Sequence, residues 1–279
     1  MLKKISSLIM LLLFFIGLSV LLYPAISSYW NSKTQSRAVE SYEKFVQNIS
    51  EDDYEALMAE AGSYNDALSD LQSPLVDYDL VTGYDYTLNL NGQGMMGYIT
   101  IHSIGVELPI YHSISENILS FAVGHMEGTS LPVGGESTHS VLSAHRGLPN
   151  SKLFTDLDKV QIGDIFTITI LDEVITYQVD QIITVTPENT HEIQIVEGED
   201  YCTLLTCTPY GINTHRLLVR GVRVNTVTEK NVYIGNEAYR IDTLIVTPIV
   251  ALPILLVLII IVICQPVKQE HVIEGDDLQ

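Results

Sequence analysis

Cys202-Thr203-Leu204-Leu205-Thr206-Cys207, followed after eight residues by Arg216-Leu217-Leu218-Val219-Arg220-Gly221, is the stretch that decides how this chain folds. Apolar and β-branched residues fill both runs, and Thr208-Pro209-Tyr210-Gly211 supplies turn residues between them, so the two read as antiparallel strands joined by a loop. Upstream lie similar runs at Tyr98 to Ile101, Val106 to Tyr111, Ile165 to Leu171 and Val174 to Val185, and the last strand extends to Val224. Gly134-Gly135, Gly147-Leu148-Pro149 and Gly163-Asp164 separate them at intervals typical of a barrel or sandwich. No long helical pattern intervenes that would build a parallel sheet, so the reading is mainly β: one barrel behind an N-terminal helical layer.

The helical layer comes from Val39, Tyr42, Val46 and Ile49, then Tyr54, Leu57, Met58, Ala61, Tyr64, Leu68 and Leu71, which recur at three- and four-residue steps. Ser50 before Glu51, Asp52 and Asp53 predicts a break and a new helix start near residue 50. Residues 72–92 are polar, tyrosine-bearing and aperiodic, and read as a mobile segment. Gly92-Gln93-Gly94-Met95-Met96-Gly97 matches a dinucleotide-binding pattern, but it precedes a strand and opens no helix, so it is read as an entry loop.

Two runs lack any charge over a length that spans a bilayer, Ile5 to Tyr23 and Leu244 to Cys264. The first reads as a transmembrane helix or uncleaved signal anchor in preference to the alternative, a cleavable leader after Lys3 and Lys4, because it is longer than a leader's apolar core and ends in Tyr-Pro where a cleavage site would carry small residues. Pro248 and Pro253 are tolerated in a span, where neighbouring groups satisfy the freed backbone. Lys3, Lys4 and Lys268 favour both termini inside, which leaves residues 24–243 outside the cell. The organisation expected is a cytoplasmic 1–4, a span at 5–23, a helical and lid-like 24–92, a barrel at 93–228, a linker at 229–243, a span at 244–264 and a cytoplasmic tail at 265–279.

Of 279 residues 14 are basic and 34 acidic, a net charge of -20, and the external part holds 11 basic against 30 acidic, hence -19. Such a surface repels phosphate backbones, and nucleic acid is excluded as a partner. A solvated surface explains the acidity; attraction of a lysine-bearing substrate is the sharper alternative.

Cys207 ends an apolar strand at the mouth of a loop, where a nucleophile belongs, although a buried structural thiol is the commoner fate of a free cysteine. Cys202 cannot bridge to it along an extended strand, since five residues span roughly 16 Å, and Cys264 lies at the far end of the second span. An unperturbed thiol is only about 3% thiolate at pH 7, so catalysis needs a base or cation nearby. His145, in Ser143-Ala144-His145-Arg146-Gly147, follows the apolar pair Val141-Leu142 at a similar strand-to-loop junction and is the base preferred among eight histidines. His125 and His215 fit a packed and a loop histidine better. Arg216 opens the returning strand beside Cys207 and can serve a developing oxyanion, with a surface salt bridge as its plain alternative; Arg220, four residues on, reads as a rim ion pair. No C-x2-C pair, no H-E-x-x-H motif and no G-x-S-x-G elbow is present, and no cofactor is implied. Thiol-dependent acyl transfer remains.

Thr203-Leu204-Leu205-Thr206-Cys207 resembles the T-L-x-T-C signature of sortases, with His145 and Arg216 where that family places its histidine and arginine. Val123 to Gly135 and Thr206 to Arg216 resemble the class C, pilus-assembling branch. The resemblance implies an eight-stranded sortase barrel between two transmembrane helices. In it Cys207 cleaves an LPxTG-like sorting signal between Thr and Gly through a thioacyl enzyme, and a lysine amine of the next pilin subunit resolves that intermediate. His145 would transfer the protons and Arg216 hold the carbonyl oxygen. The partners implied are pilin subunits bearing the sorting signal and an acceptor lysine, with membrane lipid around the spans. Attachment of surface proteins to cell-wall precursor amines, or a non-catalytic assembly factor, are the alternatives. Class C members usually carry an Asp-Pro-aromatic lid; this chain has no Asp-Pro dipeptide, only Asp77-Tyr78-Asp79 and Asp85-Tyr86, so an open cleft is expected.

Overall fold

The computed structural model describes residues 2–90 and 92–225. The second apolar run at 244–264 and the tail lie outside the described residues. The described residues divide into two units, the first ending at Ala25 and the second beginning at Ile26.

Helix α1 runs Leu2–Val46 and is the one helix among the described residues long and apolar enough to cross a membrane. In its first unit the side chains from Ile9 to Tyr23 are almost all exposed, as expected of a surface meant for lipid. In the second unit its Val39 and Tyr42 are buried, and the Tyr42 hydroxyl donates to Met96 O at 2.6 Å while accepting from Leu171 N at 2.8 Å. Burial pushes that phenol well above its ordinary value, so it stays a neutral donor. Helix α2, Glu51–Ser69, starts where the acidic cluster predicted: the Ser50 hydroxyl accepts from Asp53 N at 3.2 Å. It buries Ala61, Tyr64, Asn65 and Leu68 against the barrel, and Asn65 clasps Leu131 through both its amide groups.

Eight strands follow: β1 Met95–Ile101, β2 Val106–His112, β3 Val123–His125, β4 Thr138–Ser143, β5 Ile165–Ile170, β6 Glu173–Val185, β7 Asp200–Thr208 and β8 His215–Val224. They close into a barrel in the order β1-β2-β3-β4-β7-β8-β6-β5. The six strand runs read from sequence all appear, within a few residues of the expected limits. Two strands lacked that signal: β3 is three residues long, and β4 begins with the polar Thr138-His139-Ser140. These two also form the parallel pairs, β2 with β3 and β4 with β7, which the absence of long helical connections argued against. Irregular loops carry the crossovers instead: residues 113–122, with only the four-residue helix α4 at Glu116–Leu119, and residues 144–199, which hold the β5–β6 hairpin. The glycine-rich 92–97 stretch enters β1, and no helix follows it.

The barrel interior is filled by Ile99, Ile110, Leu142, Phe166, Ile168, Tyr177, Leu204 and Val219, each at most 1% exposed. Period-2 alternation sends their neighbours outward.

Candidate active site

On β7, Cys202 and Leu204 join the core, and the Thr206 hydroxyl turns in to donate to Ala144 O at 2.8 Å. Alternation therefore puts Thr203, Leu205 and Cys207 on the outer face. On β8, Leu217 and Val219 point in, so Arg216, Leu218 and Arg220 point out. On β4 and just beyond it, Leu142 and Ala144 are core residues, leaving Val141, Ser143 and His145 outside.

Register aligns these faces. Cys207 lies directly opposite Arg216 in the antiparallel β7–β8 ladder, above Leu205 opposite Leu218 and Thr203 opposite Arg220. On the other side Ser143 pairs with Leu205, and Ala144 N donates to Leu205 O at 3.2 Å. Two residues past Ser143, the same spacing brings His145 level with Cys207. Neighbouring strands run about 5 Å apart, so the backbones at His145 and Arg216 flank Cys207 on three consecutive strands. All three candidate residues are half-buried at the barrel's rim, and Cys207 carries a free thiol.

The side chains around the thiol have defined partners. His145 Nε2 meets the Glu116 carboxylate of α4 at 3.1 and 3.2 Å. Arg216 Nη1 donates to Asn213 O at 3.3 Å and His215 O at 3.1 Å, which spends one nitrogen on its own turn. Arg146 pairs with Asp158 and reaches Thr208 Oγ1 at 3.5 Å. Sequence reading did not single out Glu116, Arg146 or Asp158. Only the place of Arg146 beside His145 could have marked it.

One level below, the same face carries a closed polar set. His139 Nε2 bonds Thr203 Oγ1 at 2.8 Å and its Nδ1 bonds Gln194 O at 2.8 Å. Arg220 forks onto Asp180 at 3.1 and 2.6 Å and lies over the Tyr201 ring, the rim ion pair expected from sequence. Burial lowers the His139 pKa to about 4. His125 is packed as expected from its glycine-flanked position: fully buried, lowered to about 4 by desolvation, with Nε2 on Ser130 O at 2.8 Å. His215 is an exposed residue bonded to Thr214.

Between the two levels Val141, Ile193 and Leu218 form an outer apolar patch, joined by Leu205, Val185, Ile183, Met126 and Leu75. Leu75 belongs to α3, Pro74–Asp77, inside the stretch expected to be mobile and to leave the cleft open. The structure differs on mobility: this segment is seated on the patch one level below the thiol. Pro74 at the first turn and Leu75 pass so close to Gly128 that a Cβ there would lie 2.9 Å from Pro74 O. Tyr84 then locks the rest, its hydroxyl 3.0 Å from His125 Nδ1 and accepting from Ser113 N at 3.0 Å. The physical reason is that Ser73-Pro74-Leu75 provides the fixed φ and the apolar anchor without an Asp-Pro dipeptide.

A closed eight-stranded barrel with a thiol, an imidazole and a guanidinium abreast on its outer rim defines the sortase class of cysteine transpeptidases. The Sortase domain family model matches residues 99–224. Sortase C1 of Streptococcus agalactiae is 48% identical in its crystal structure, with a TM-score of 0.62 over 68% of this chain and 98% of that one. Sortase C of Streptococcus pneumoniae, whose structure is described in terms of pilin substrate specificity, is 43% identical with a TM-score of 0.61 over 68% and 97%. Sortase A of Bacillus anthracis is 27% identical over 82% of this chain and 99% of that relative. Sortase A of Streptococcus agalactiae is 32% identical over 41% of this chain, and the match spans 47% of that relative, about half its length. The chain belongs to the sortase family, is an enzyme of the cysteine-transpeptidase kind, and is similar to the pilus-related class C members.

Proposed function

We propose that this protein joins pilin subunits. In this reading Cys207 passes its thiol proton to His145 and attacks the Thr–Gly carbonyl of a Leu-Pro-x-Thr-Gly-like signal, the C–N bond breaks, and the threonine acyl group passes to sulfur as a thioester. His145 gives its proton to the departing glycine amine. A lysine amine of the next pilin then attacks the thioester, His145 takes up the proton that amine sheds, and the thiolate leaves, closing an isopeptide bond. Arg216 donates to the carbonyl oxygen as negative charge develops in both tetrahedral stages, where a placed donor is worth roughly 3 kcal/mol.

The observation that carries this reading is the register that sets Cys207 opposite Arg216 and brings His145 level with them. A binding protein has no need of those three groups together. The apolar character of α1 supports membrane attachment. Two spans at 5–23 and 244–264, with the barrel and its helical layer outside the cell, complete the proposal.

The test uses the full chain in detergent with a Leu-Pro-x-Thr-Gly peptide and candidate lysine peptides, read by intact mass. A peptide adduct on Cys207 and a lysine-linked product are expected, both lost in Cys207→Ala. Polymer from Cys207→Ala would end the enzymatic reading; transfer to cell-wall precursor amines in preference to pilin lysines would replace pilus assembly with surface-protein attachment.

A further inference from the structure

Beside the three rim residues stands a second guanidinium that the chemistry above does not use. The Arg146 side chain is 10% exposed, held on Asp158 through Nη2, and its buried Nε has no hydrogen-bond partner. Stability alone explains such a group poorly, because an unsatisfied buried donor is costly and a hydrophobic residue would fill the space without that cost. Two further contacts lie at the end of β7 and on the turn that follows it. Nη1 reaches Thr208 Oγ1 at 3.5 Å, and the guanidinium lies 5.8 Å from the Tyr210 ring centroid. Gly147, the next residue, has φ +79, and a Cβ there would stand 2.9 Å from the same ring. Tyr210 is thus pressed onto the Arg146–Gly147 backbone, which is itself pinned by Phe154 N donating to His145 O at 3.1 Å and by Gly147 N donating to Thr155 Oγ1 at 3.1 Å.

From Tyr210 the contacts continue. Pro209 O accepts from Ile212 N at 3.1 Å and Asn213 N at 3.0 Å, closing the turn. Asn213, at φ +61, presents its carbonyl to Arg216 Nη1 at 3.3 Å. A continuous chain of contacts therefore runs from Asp158 through Arg146 and the 208–213 turn to the guanidinium opposite Cys207.

We infer that Arg146 is a positioning residue: by clamping the Thr208–Asn213 turn, it sets where the Arg216 guanidinium stands relative to the thiol. The inference rests on the proposed role of Arg216. Because Arg146 acts through Arg216 and does not touch peptide, its loss lowers kcat and leaves KM in place.

The experiment is a double-mutant cycle on the full chain in detergent, with cleavage of a Leu-Pro-x-Thr-Gly peptide followed to low rates. Arg146→Met lowers kcat about tenfold with KM within about twofold, and Arg146→Lys does not rescue it, because an ammonium keeps the charge but loses the flat face against Tyr210. In an Arg216→Ala background the Arg146→Met effect shrinks to about twofold or less. Asp158→Asn, at a half-exposed residue, releases the base of the clamp with the fold kept, and shows the same kcat loss and the same dependence on Arg216. Equal kcat losses with and without Arg216, or a loss confined to KM, would overturn the inference while leaving transpeptidation standing. A wild type that never cleaves the peptide would overturn both.

Discussion

The outer face of β4, β7 and β8 carries a histidine, a sulfur or hydroxyl, and an arginine twice, and the two sets behave in opposite ways. At the lower level His139, Thr203 and Arg220 are closed: each has its partners, and His139 and Thr203 are almost wholly buried. At the upper level His145, Cys207 and Arg216 are half-exposed, and Cys207 is free. Between them lies the apolar patch of Val141, Leu205 and Leu218. Residue types alone therefore do not make a reactive site on this barrel. The upper set lies at strand ends, with β4 finished, β7 one residue from its end and β8 just begun, so loops can admit a peptide; the lower set lies farther along the strands, beneath the 186–199 connection that supplies Gln194. The two cysteines of β7 repeat the lesson, since burial pushes the Cys202 thiol well above its ordinary range while Cys207 stands at the rim.

The widest separation between the levels comes from exchanging their histidines. His145→Ala should lower peptide cleavage by about a thousandfold, within the range that positioned acid–base groups contribute, with the melting temperature nearly unchanged. His139→Ala should do the reverse, keeping most turnover in the folded fraction while costing about 2 kcal/mol through the partners it strands. Equal activity losses from both would erase the distinction.

The arginines sharpen it next. Arg216→Lys should cost roughly a hundredfold in kcat if its planar fork serves the oxyanion, whereas Arg220→Lys should change kcat by less than about threefold. Wild-type turnover from Arg216→Lys would move the oxyanion role elsewhere.

Acid separates the buried histidines from the exposed rim. His125 and His139 have folded pKa values near 4, below the unfolded value, so between pH 6.5 and 4 the unfolded chain binds more protons. Their contribution is whole above pH 6.5 and is lost as pH falls toward 4, by about 2 kcal/mol each between pH 6.5 and 5. Denaturant melts across that window should show the loss, and a His139→Asn variant should show a shallower slope; identical slopes would refute the assignment. The smallest effect concerns Glu116, whose side chain is 79% exposed. An exposed ion pair contributes little, so Glu116→Gln should alter kcat by no more than about threefold. A larger loss would promote Glu116 to an orienting partner of His145.

How much of this was legible differs residue by residue. Cys207 at a strand end, the turn after it and the returning Arg216 are neighbours along the chain, so composition and alternation sufficed to place them on one hairpin. His145 was reached from its apolar approach and from resemblance, and its strand was hidden because it opens on the buried polar residues Thr138, His139 and Ser140, of which His139 is held by the distant Gln194 and Thr203. The Ser50 cap was readable because it is local.

The sequence by itself determined the helix break at Ser50, six of the eight strands, and a thiol beside a guanidinium on one hairpin. Those follow from periodicity, turn chemistry and short loops, which act within about ten residues. Only the tertiary structure decided that β4 lies parallel beside β7, some sixty residues away, that Leu75 sits on the apolar patch, and that Asp158, Arg146 and Tyr210 meet. Their interaction energy belongs to pairs distant in the chain, and it takes effect only once the barrel closes and fixes which surfaces face each other.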